Sequence, residues 1–136
     1  MENPVKSKRK VQTLLIVNDD RTKLSDNSTV LTSFNQIYFS ITEAPTILPW
    51  VQQHQPDLII LDLKWSKVVE LQLIAALRLD WLTRNIPILM ITNLPSVPFA
   101  ASLDYNACLI KPYTLLELEQ TICSLVSLPV YNRKKA

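Results

Sequence analysis

The 136-residue chain contains no glycine. Glycine is the usual choice where backbone takes a positive φ or passes close to a phosphate. Its absence excludes a Walker phosphate loop and a dinucleotide-binding fingerprint, both of which are built on glycine. Turns and helix ends must then use other residues, and Asn18, Asn35, Asn85, Asn93 and Asn106 are the candidates for left-handed positions. Histidine occurs once, as His54, and cysteine twice, as Cys108 and Cys123. Neither has the close-spaced companions of a structural zinc site. Both thiols fall in predicted strand or helix, where free cysteines usually pack as small apolar groups. No apolar run approaches the roughly 20 residues that span a bilayer, and the amino terminus has no apolar stretch like that of a secretory leader. A soluble, cytoplasmic protein is the expectation.

Charge is unevenly spread behind a formal net value of +2. Lys6, Lys8, Arg9, Lys10, Arg133, Lys134 and Lys135 supply seven of the fourteen basic residues, against one acid, Glu2. Between residues 11 and 132 there are seven basic and eleven acidic residues. The body is acidic and the ends are basic. The expected organisation is one domain over 11–128, flanked by disordered basic tails over 1–10 and 129–136, with neither a membrane nor nucleic acid as partner. A domain of this length buries a substantial core without disulfide or metal staples.

Apolar patterning predicts five strands alternating with helical crossovers. The strands are Val11–Asn18, the short QIYFSI, DLIILDL, ILMIT and NACLI. Near-continuous apolar runs such as DLIILDL are the mark of parallel strands covered on both faces. The first helix is expected just after Asp20, in a stretch rich in Ser and Thr. A second is expected over Glu43–Gln53, with Pro49 straining its interior. The third spans Val68–Trp81, with Trp81 on its apolar face, and Trp50 is likewise expected to pack. The fifth runs Leu115–Leu128 behind a Thr114/Glu117 capping box. The fourth crossover carries Pro95 and Pro98 and has room for a short helix only.

Four of these runs end on polar residues of different kinds: Asp19 and Asp20 after the first, Asp62 after the third, Thr92 after the fourth and Lys111 after the fifth. In a parallel sheet these side chains gather at the carboxyl edge, where open α/β sheets bind ligands. Three acids form a hard oxygen set suited to Mg²⁺. A hydroxyl and an ammonium beside them can hold phosphoryl oxygens. Acids at strand ends also commonly cap helices, as Asp20 would do, but five such residues at four strand ends are hard to assign to capping alone.

This order of motifs resembles the receiver domain of bacterial two-component response regulators. The carrying residues are Asp19-Asp20, Asp62, Thr92 and Lys111-Pro112-Tyr113, and LQLIAALR resembles the family's third helix. The resemblance implies a doubly wound, flavodoxin-like (βα)5 fold with strand order 2-1-3-4-5 and, here, a shortened fourth helix. It implies that Asp62 accepts a phosphoryl group from a sensor histidine kinase or histidine phosphotransfer protein. Asp19, Asp20, Asp62 and the backbone carbonyl of Lys64 would hold Mg²⁺, Thr92 and Lys111 would contact phosphoryl oxygens, and the Lys111-Pro112 bond would be cis. The signal would pass to a downstream protein target. Trp65-Ser66 and Glu70 replace the family's Met-Pro and glycine, and Cys108 replaces its switch aromatic. These departures support an alternative, a pseudo-receiver acting as a phosphorylation-independent interaction module. A hydrolase is disfavoured, because His54 lies too far back to serve as general acid or base.

Overall fold

The computed structural model describes residues 11–19, 24, 28–62, 68–92 and 104–127, the side chains of 68–70 excepted. Five strands form one parallel sheet: β1 (Thr13–Asn18), β2 (Asn35–Ser40), β3 (Leu58–Asp62), β4 (Ile88–Thr92) and β5 (Ala107–Ile110). Their order is β2-β1-β3-β4-β5, so β2 and β5 are the edges. Three α-helices are described: α1 (Ala44–His54), α2 (Val68–Leu79) and α3 (Leu115–Val126). They fill the second, third and fifth crossovers. The predicted short fourth helix lies outside the described residues, as do both basic tails and most of the first crossover.

Alternation along the strands builds two cores. Leu15, Val17, Ile59, Leu61, Ile88 and Met90 face α1 and α2, meeting Ile47, Val51, Leu73, Ile74 and Leu77. Leu14, Ile16, Leu58, Ile60, Leu89 and Ile91 face the opposite way, against Leu31 and the α3 residues Leu118, Ile122, Leu125 and Val126. Both faces of β1, β3 and β4 are therefore dry, which is why their sequences read as unbroken apolar runs.

Several local expectations are corrected. Residues 28–34 do not continue a first α-helix; they form a turn and a 3-10 segment over Leu31–Ser33, tied by the Leu31 amide donating to Ser28 Oγ. The second helix begins and ends one residue later than its apolar pattern predicts and runs unbroken through Pro49. Pro45 and Pro49 are both exposed, so the carbonyl that Pro49 leaves unpaired belongs to a residue open to water. The third helix stops at Leu79, and Trp81 stands in the following turn, 73% exposed, where no helix face can bury it. Trp50 does pack, edge-on to Phe39 at 5.6 Å, and stacks on His54 at 4.2 Å. Among the described residues the left-handed position is Gln55, φ 49°, at the end of α1; Asn18, Asn35, Asn85 and Asn106 do not take that geometry, and Asn93 lies outside. The Gln55 amide offsets the steric cost by donating to the carbonyls of Gln52 and Leu82. Cys108 is half-buried on β5, but Cys123 is exposed on α3, contrary to its expected packing.

Candidate functional site

The carboxyl edge of the sheet is set by register. Asn18 lies opposite both Ser40 and Asp62, Asp62 opposite Ile91, and Thr92 opposite Ile110. Asp62 and Thr92 are thus the last residues of their strands, and Asp19 and Lys111 the first beyond theirs. The Lys111 amide donates to the Thr92 carbonyl at 2.8 Å, which ties the exit of β5 to the end of β4. The Lys111-Pro112 peptide is cis.

Asp62 and Lys111 meet directly. Lys111 Nζ lies 2.8 Å from Asp62 Oδ1, with side chains 33% and 16% exposed respectively. Strand alternation explains the meeting: Asp62 continues the face of Leu58 and Ile60, and Lys111 that of Ala107 and Leu109, all of which border the α3 layer. Tyr113 packs against the same layer. Burial raises its phenol above the ordinary tyrosine range, and the negative charge of Asp62 raises it further. The phenol is therefore neutral through the physiological range and is part of the electrostatic surroundings of Asp62.

Asp19 follows β1 directly and is half-buried. Its backbone is fixed from β2, since Ser40 Oγ donates to the Asp19 carbonyl at 3.0 Å. Ser40 is in turn fixed by the segment after it: its amide donates to Glu43 Oε1, and its hydroxyl accepts from the Thr42 amide. The sequence pattern Ser40-Ile41-Thr42-Glu43 is a capping box, a signal available from sequence that identifies Ser40 as a positioning residue for the acidic loop. The same device, Thr114 with Glu117, starts α3 three residues after Lys111, as predicted.

A cation fits these groups by donor chemistry. Asp62 Oδ1 is buried, and beyond its ion pair with Lys111 it accepts no hydrogen bond among the described residues, so it retains capacity for a further electropositive partner. Asp19 sits on the neighbouring strand exit. Asp20 and Lys64, the other two ligands expected from sequence, lie outside the described residues, as does Trp65. Among the described residues alone, no three acids gather into a metal cage.

Comparison with known proteins agrees with this geometry. The family model for the response regulator receiver domain matches residues 14–123. A putative response regulator from Chloroflexus aurantiacus has a similar structure, with TM-score 0.70 and 26% identity over 88% of this chain and 100% of its own. The receiver domain of a Pseudomonas aeruginosa sensor histidine kinase, solved with a magnesium ion in its active-site cleft, gives 0.69 at 16% identity over 88% and 100%. A Vibrio cholerae chemotaxis protein gives 0.65 at 20% identity over 85% and 99%. No curated protein is significantly similar to the chain. With the family model covering residues 14–123, and with them every strand end of the site, the chain belongs to the response regulator receiver domain family.

Proposed function

We propose that this receiver domain is a phosphoacceptor, with Asp62 as the nucleophile. The observation that carries this reading is the 2.8 Å contact of Lys111 Nζ with Asp62 Oδ1 at the carboxyl edge of the sheet. An ammonium held there offsets the charge that gathers as an anionic phosphoryl group approaches an anionic carboxylate. The donor is the phosphohistidine of a sensor histidine kinase or histidine phosphotransfer protein. The Asp62 oxygen forms its bond to phosphorus as the nitrogen–phosphorus bond breaks, and the electron pair returns to the imidazole. Lys111 pairs with one phosphoryl oxygen, and the Thr92 hydroxyl donates to another. Their positions at the ends of β5 and β4 then let the modified state pull on those strand exits.

Asp19, Asp20 and Asp62, with the Lys64 carbonyl, would hold Mg²⁺. The bound ion supplies positive charge to the non-bridging phosphoryl oxygens. The ion pair supports this reading over a phosphorylation-independent module, since it holds the lysine where it can pair with an oxygen of a phosphoryl group on Asp62. Output passes through contact with a downstream protein, in the cytoplasm where such kinases present their phosphohistidine. No described helix is long and apolar enough to cross a membrane.

The test is intact-mass measurement of the purified chain with Mg²⁺ and acetyl phosphate, beside Asp62→Asn. One phosphoryl adduct on the wild-type chain, absent from the variant and removed by hydroxylamine, is the expected result. No adduct on either protein, with no Mg²⁺ binding by calorimetry, would overturn the proposal and favour the interaction module.

A further inference from the structure

The turn between α2 and β4 holds apolar side chains outward. Leu79, Trp81 and Leu82 are 84%, 73% and 43% exposed. On a loose loop such exposure would be incidental, but this turn is stapled. The Asp80 carboxylate accepts from Gln52 Nε2 on α1 and from the Leu82 amide. Gln55 Nε2 donates to the Leu82 carbonyl at 3.0 Å. The Thr83 hydroxyl, on a fully buried residue, donates to the Leu77 carbonyl at 2.6 Å. A tryptophan carried on so fixed a backbone gives up little conformational freedom when it is covered, which is the property of a binding anchor.

The charges of the turn indicate what covers it. Arg84 is exposed and enters no ion pair among the described residues. Asp80 accepts two hydrogen bonds but likewise has no cation of its own there, so its carboxylate can accept further donors. An anion and a cation thus flank Trp81 and Leu82 along the chain without pairing with each other. A two-fold axis at Trp81 sets each Arg84 against the Asp80 of a second copy, so the patch is complementary to itself. The area agrees. At these exposures the three apolar side chains present on the order of 400 Å². Adding the polar share of a homodimer interface gives about 600 Å² per copy and ~1,200 Å² in all, the lower end of specific protein contacts.

We infer that this turn is a self-association surface, on which a second copy of the chain docks through Trp81 across a two-fold axis. The turn leads into β4 and so lies at the amino edge of the sheet, whereas Asp62 ends β3 at the carboxyl edge. Pairing at the turn therefore leaves Asp62 of each copy open. The inference goes beyond the phosphoacceptor reading and does not depend on it.

The experiment is sedimentation equilibrium of the full chain from about 5 to 500 µM, a range chosen for an interface of this size. It is run without Mg²⁺ or phosphodonor, so its result is independent of Asp62 chemistry. The mass should rise with concentration from that of one chain to that of two. Trp81→Glu should weaken the dimer by at least about tenfold, as loss of a central anchor does. Arg84→Glu, which sets acid against Asp80, should weaken it by about fivefold. Both side chains are exposed, and an unchanged circular dichroism melt shows that the variants remain folded. A monomer at every concentration, or a dimer that either variant leaves unmoved, would overturn the inference.

Discussion

At the scale of single residues, Asp62 is held between charge of its own and charge supplied by others. Lys111 is its contact cation, and removing that cation should favour a replacement. Lys111→Met is expected to tighten Mg²⁺ binding about two- to fivefold, the roughly 0.4–1 kcal/mol of a partly exposed ion pair, while slowing phosphoryl uptake; calorimetry and intact-mass time courses separate the two effects. The cysteines give a second residue-scale expectation. Burial pushes the Cys108 thiol above its ordinary range, whereas Cys123 is exposed. A maleimide at neutral pH should therefore modify Cys123 first and Cys108 more slowly, as peptide mapping would show. The raised Cys108 and Tyr113 groups also fix the direction of alkaline behaviour. Both are neutral in either state near pH 7, so their contribution is fully present there. As pH rises past about 8.5 the unfolded chain ionises first, and the denaturant midpoint should fall progressively.

At the scale of elements, helix ends carry more of the design than helix middles. Thr114→Ala removes the acceptor for the Glu117 amide at the start of α3 and should cost about 1 kcal/mol in urea unfolding. At Gln55, Ala should destabilise more than Gly, reversing the usual helix ranking, because the residue is left-handed and an alanine there keeps the steric cost while losing the amide's hydrogen bonds. These ends also show what was legible in the sequence. The Thr114/Glu117 box was predictable, because its side chains act on backbone within three residues. The choice of Gln55 was not, because its compensation comes from the distant Leu82 carbonyl. The α1 boundaries and its tolerance of Pro49 follow from which carbonyls face water, a property of the assembled layers. Trp81 misled for a similar reason: its spacing matches the apolar face of α2, but that helix ends two residues earlier, and the chain turns at Asp80, whose carbonyl accepts from the amides of Thr83 and Arg84.

At the scale of the whole molecule, strand number and the gathering of Asp62 and Lys111 at one edge were legible because unbroken apolar runs with polar ends point to a parallel sheet, while strand order followed from the resemblance to the receiver family. The lateral staples were not. Arg78, whose side chain is 8% exposed, donates to the carbonyls of Arg84, Ile86 and Asp104 and to Asn106 Oδ1, and Asn106 Oδ1 also accepts from the Ile88 amide. One guanidinium thereby joins the end of α2 to the starts of β4 and β5. Arg78→Ala should cost about 2–4 kcal/mol, and Arg78→Lys should restore little, since an ammonium cannot serve four acceptors spread in a plane. The sheet order has a consequence for how the protein comes apart. Asp62 ends a strand hydrogen-bonded on both sides, but Lys111 follows a four-residue edge strand with a single neighbour. Partial opening on mild heating should begin at that edge and carry the lysine and Tyr113 away while Asp62 stays seated in the sheet. Competence to take up phosphoryl groups would then fade at a lower temperature than secondary structure, so an inactivated sample can still give the circular dichroism spectrum of an intact one.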